Sequence, residues 1–151
     1  MGNIDIHKAL LEAAQTEKNA MDFYKYGAEK MADDKASATF VILAKEELEH
    51  ARSFYDSCDG SNIPSFDDFI SAPPETNSSW WKALQSLLVG DFDERKAMEL
   101  AMDQEAELEK ELRAMAAKID DPAVKAVYLA NAQSTHRHEE LIGEEYKDIY
   151  G

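Results

Sequence analysis

Five residues interrupt an otherwise apolar pattern with groups that can hold a metal: Glu17, Glu47, His50, Glu105 and His138. The three glutamates each fall near the middle of a stripe of apolar residues spaced three and four apart. A buried carboxylate without a partner is costly or takes up a proton, so its repeated occurrence calls for a cation. Glu47 and His50 form a Glu-x-x-His pair, one turn apart on one helix face. Carboxylate and imidazole together suit iron, manganese or zinc better than magnesium or calcium.

The last histidine has to be chosen from two. In "AQSTHRHEEL", His136 and His138 are two positions apart, so on a helix at most one points into a core. An internal repeat helps, since Glu17 to Glu105 is an offset of 88 and "HKALLEAAQTE" then overlies "RKAMELAMDQE". The same offset carries Glu47 and His50 onto Thr135 and His138, and Phe40 and Phe54 onto Tyr128 and Ile142. An offset of 86 selects Gln133 and His136 instead, and moves the pair off the apolar stripe. Periodicity therefore turns His138 inward and His136 outward.

Four long helices must position these residues. The first is expected from about Ile4 to Met31, with Leu10, Ala13, Glu17, Ala20, Tyr24 and Met31 aligned. The second runs to about Ser57, capped by Asp33 or Asp34, and aligns Phe40, Leu43, Ala44, Glu47, His50 and Phe54. The third begins after a capping box of Asp91 and Glu94 and aligns Met98, Ala101, Glu105, Leu108, Leu112, Met115 and Ile119. The fourth takes Asp121 as N-cap and Pro122 as its first residue, and aligns Val124, Tyr128, Thr135, His138, Ile142 and Ile149.

Between the pairs lies a connector, residues 58–91, holding three of the four prolines. It is expected to carry short helices at Ser65–Ile70 and in "SSWWKALQSLLVG", the latter ended by Gly90. Two tight pairs (4–57 and 92–150) and one long crossover describe a single all-α domain, a four-helix bundle. The crossover must travel the length of the bundle, which explains its size.

Composition limits the partners. Thirty-one Asp and Glu against sixteen Lys and Arg give a formal charge of -15, which repels nucleic acid and anionic lipid. No apolar run approaches a membrane span, and "MGNIDIHKALLEAAQ" has no basic-then-apolar secretory pattern. The single cysteine, Cys58, excludes an internal disulfide and a Cys-x-x-Cys metal knuckle, and reads as structural. A reducing, cytoplasmic location is the expectation.

With Glu17 and Tyr24 a heptad apart, "KEELEH", "AMDQE" with Glu105, and His138 followed by Ile142 and Tyr146, the chain resembles the rubrerythrin-type branch of the ferritin-like superfamily. The resemblance implies a carboxylate-bridged di-iron centre that reduces peroxide or dioxygen. Glu17 and Glu105 would be terminal ligands and Glu47 a bridge, with His50 and His138 each on one metal. It also implies a homodimer. The family's second bridging glutamate is due at position 135, where this chain has Thr135, or at Gln133 in the rival register. Glu139, one turn beyond Thr135, is the candidate substitute, and without it the second metal should be held more weakly. The four cysteines of a rubredoxin module are missing, so electrons are expected from a separate donor protein.

Tyr24 shares the face of Glu17 and is a candidate for catalysis, by hydrogen-bonding a ligand or by redox chemistry; a core aromatic with a satisfied hydroxyl is the ordinary alternative. Trp80 and Trp81 should anchor the crossover to the bundle or to a second subunit, and His7 should lie on the surface.

Overall fold

The computed structural model describes residues 5–58 and 62–151. Ile4, the expected start of the first helix, lies outside them. Six helices and no strand occur among the described residues: α1 (Ile6–Lys30), α2 (Asp34–Asp56), α3 (Phe66–Ile70), α4 (Ser79–Leu87), α5 (Glu94–Lys118) and α6 (Pro122–Tyr150). The four long helices form the expected bundle, α1 packing closely on α2 and α5 on α6.

Each start is fixed by an oxygen that accepts from an orphaned backbone N–H. Asp33 caps α2 through Ala36, and Asp121 caps α6 through Ala123 and Val124, with Pro122 in the first turn. The expected capping box on α5 is displaced. Its cap is Asp93, which accepts from the Lys96 amide, and Glu94 is the first helical residue. From there the Glu94 carboxylate crosses to the other helix pair and accepts from the amides of Ala32 and Asp33, both at 3.0 Å. A similar correction applies to α4, which ends at Leu87, while Gly90 (φ 77) turns the chain beyond it.

The crossover lies along α1. Trp80 is buried with its ring 5.4 Å from Phe23 and 5.7 Å from Tyr24, and the partly buried Trp81 meets the Tyr26 ring edge-on at 5.5 Å. Lys18 reaches the Pro73 carbonyl, and Asn19 donates to Glu75 at 2.9 Å. As a result α1 is buried on every side from Glu17 to Tyr24, not only along one stripe. Lys18 tolerates this because its ammonium sits 2.8 Å from Asp22, an ion pair inside the protein. Burial pushes the Asp22 carboxyl up, and Lys18 pulls against it. Ala13, Ala44, Met115, Val124 and Ile149, all expected in the core, are only partly buried at its margins.

Candidate metal centre

Each long helix delivers its inward polar residue near mid-length. Glu17 comes from α1, Glu47 and His50 from α2, Glu105 from α5 and His138 from α6. The structure brings all five together. The three glutamates have no exposed surface, and His138 is 2% and His50 9% exposed.

Their donor atoms form two overlapping groups. Glu17, Glu47 and His50 offer atoms within 4.8 Å of one another, and so do Glu47, Glu105 and His138. Glu47 belongs to both. His50 Nδ1 lies 3.4 Å from Glu17 Oε2 and 3.5 Å from Glu47 Oε1. His138 Nδ1 lies 2.8 Å from Glu47 Oε1 and 3.5 Å from Glu105 Oε1. The two imidazoles stack nearly parallel, with centroids 5.2 Å apart.

None of these approaches has hydrogen-bond geometry. Both oxygens of Glu17 and of Glu47, Glu105 Oε2 and both Nδ1 atoms are buried without a hydrogen-bond partner among the described residues. Buried polar atoms are nearly always satisfied, so a set of orphans facing one point makes a candidate position for cations. The donors, carboxylate with imidazole, fit iron, manganese or zinc.

Electrostatics agree. Burial pushes the Glu47 carboxyl well above its ordinary range, and the charges of Glu17 and Glu105 add to the push. Burial also raises Glu105, against the pull of His138 and Tyr24. In Glu17 burial is outweighed by Glu47 and the two imidazoles, and the carboxyl is lowered. Three carboxylates cannot all stay ionised in this space without positive charge among them.

Outer groups orient the inner ones. His138 Nε2 lies 2.9 Å from Glu46 Oε1, and His50 Nε2 lies 2.8 Å from Ser134 Oγ. Holding Nε2 leaves Nδ1 of each ring turned to the centre. Tyr24 donates to Glu105 Oε1 at 2.8 Å. Burial, with the Glu105 and Glu47 charges, pushes the Tyr24 hydroxyl well up, so it stays protonated as a donor. Residue spacing alone carries no sign of Glu46 or Ser134. Both emerge only from the register of α2 against α6, which helix periodicity does not contain.

The contested positions separate cleanly. His136 and Gln133 are exposed, whereas Thr135 is fully buried on the inward face. Its hydroxyl donates to the Asn131 carbonyl of its own helix at 2.8 Å. Glu139 does not join the buried set. It lies 3.2 Å from His136 Nδ1, which is 3.0 Å from Glu109 Oε1, and these three make a separate group near the surface. Burial and the facing Glu109 push Glu139 up to about 7. His7 is exposed, and the Cys58 thiol, raised by burial, points at the Phe54 carbonyl.

Among the described residues, no helix is long and apolar enough to cross a membrane. Comparison with known proteins gives one positive finding: the family model Rubrerythrin matches residues 8–146. No curated protein and no solved structure matches the chain.

Proposed function

The chain belongs to the Rubrerythrin family, whose members typically bind iron, and from that premise we propose that it is a di-iron oxidoreductase reducing peroxide or dioxygen. One observation carries the reading: the orphaned donor atoms fall into two sets that share Glu47. Glu17, Glu47 and His50 would hold one ion, and Glu47, Glu105 and His138 the other. Bound there, iron supplies the electrons and the Lewis acidity for reducing the oxidant.

The chain's own residues supply position, dryness and protons. Glu46 and Ser134 fix the imidazole orientations, so the ligand nitrogens are preset rather than found on binding. Tyr24 holds Glu105 by its Oε1 and leaves Oε2 for the metal. Its proposed part in the chemistry runs through that carboxylate. The full burial of all three glutamates excludes bulk water from the reacting space. The electrons that renew the centre are proposed to come from a donor protein.

Thr135 favours a second reading, a bundle that holds metal without turning over. Its hydroxyl is committed to Asn131, and no carboxylate replaces the missing bridge among the described residues. Anaerobic reconstitution with ferrous iron separates the two. The redox reading expects about two equivalents of iron and, on adding peroxide, oxidation faster than that of free iron. One equivalent, or zinc alone, with oxidation no faster than free iron, leaves the second reading standing.

A further inference from the structure

The α2–α6 seam contains a second buried carboxylate that the metal centre does not use. The two helices run antiparallel, joined by His138–Glu46, His50–Ser134 and Asn131–Ser53 contacts. Past these, toward the α1–α2 turn, the seam opens into a cavity of about 130 Å³ lined by Lys35, Thr39, Leu141, Glu144, Glu145 and Asp148. Glu145 is only 3% exposed, and neither of its oxygens has a hydrogen-bond partner among the described residues.

A carboxylate in that position needs a positive partner or donors. Lys35 is the cation at hand, but its ammonium lies 3.7 Å from Asp148, with the side chain 67% exposed. One ammonium among the three lining carboxylates Glu144, Glu145 and Asp148 leaves negative charge in the cavity. The remaining donors are all oxygens, including the Thr39 hydroxyl, with no imidazole or thiol among the lining residues. Such a set suits a hard cation that keeps part of its water shell, and the volume leaves room for several waters.

We propose that this cavity is a second cation site, in which Glu145, with Asp148 and the Thr39 hydroxyl, takes a partly hydrated hard divalent cation such as calcium. The site lies seven residues along α6 from His138, about 10 Å by helix rise, and is separate from the histidine-bearing centre. The cation ties α2 to α6 at the open end of their seam. The inference does not rest on the redox reading.

The test is equilibrium dialysis of the full chain against calcium alone, for wild type, E47Q, E145Q, T39V and K35A. Wild type and E47Q should bind one calcium each. E145Q should weaken binding about tenfold or more, because a charged ligand is removed. T39V should bind several-fold more weakly, and K35A more tightly, since a competing ammonium is gone. Calcium kept by E145Q overturns the proposal, as does calcium lost in E47Q but kept in E145Q, which would put it in the histidine-bearing centre. Absence of calcium from every variant overturns it too, and equal loss of thermal stability in K35A and E145Q would then identify Lys35 as the internal partner. If E145Q does not fold, unchanged binding in both T39V and K35A overturns it.

Discussion

At the scale of single residues, the choice between His136 and His138 shows what periodicity can resolve. The rival register had matching letters, but only His138 continued the stripe of Tyr128 and Ile142, and burial follows the stripe. Replacing His138 by alanine should remove one equivalent of iron from a reconstituted protein that otherwise holds about two, while His136→Ala leaves the count unchanged. Metal analysis after desalting reads both. Equal losses would mean that the near-surface group of Glu109, His136 and Glu139 takes metal as well. The five inward ligating types were legible because a charge on an apolar stripe is conspicuous. Glu46 and Ser134 were not, because a glutamate and a serine on a helix flank are ordinary until a histidine from another helix arrives beside them.

At the scale of elements, caps and turns were legible to within a few residues, and the differences have local causes. Asp91, Asp93 and Glu94 offer competing starts for α5, and the winning one frees Glu94 to bind the α1–α2 turn. Close helix contact was harder to foresee. Gly27 lies inside α1, where glycine weakens a helix by about 1 kcal/mol relative to alanine. Its place is explained by α2: a Cβ there would stand 3.1 Å from the Phe40 ring. That ring is buried against Phe23 and Tyr24 and has little room to yield. Gly27→Ala should therefore lower stability by roughly 1–3 kcal/mol despite the gain in helix propensity. Urea unfolding of the metal-free protein measures it, and a more stable variant would mean that the Phe40 ring moves aside.

At the scale of the whole molecule, the bundle and its crossover followed from two helix pairs and the length of the joining segment. The wrapping of α1 did not, since a lysine in a core was not predictable before Asp22 and the Pro73 carbonyl were seen to receive it. The two pairs pack closely within themselves and more loosely against each other. Between them lie Glu17, Glu47 and Glu105, fully buried and without hydrogen-bond partners for most of their oxygens. Removing metal should therefore weaken the join between pairs first. At metal concentrations about a hundredfold above the dissociation constant, binding adds roughly 2.7 kcal/mol per independent site. Calorimetry before and after chelation should show the thermal midpoint falling and recovering when ferrous iron is restored. An unchanged midpoint would mean that metal does not stabilise the join.

The sharing of Glu47 has a consequence for how the centre fills. Two sites with separate ligands would each load along its own isotherm, blind to the other. With two ions held as proposed, the first would fix the tilt and draw on the charge of the carboxylate that the second must use. Filling should then be anticooperative, with a half-loaded protein persisting over a wide range of iron concentration. Such a species would present one ordered ion beside one vacant set of ligands.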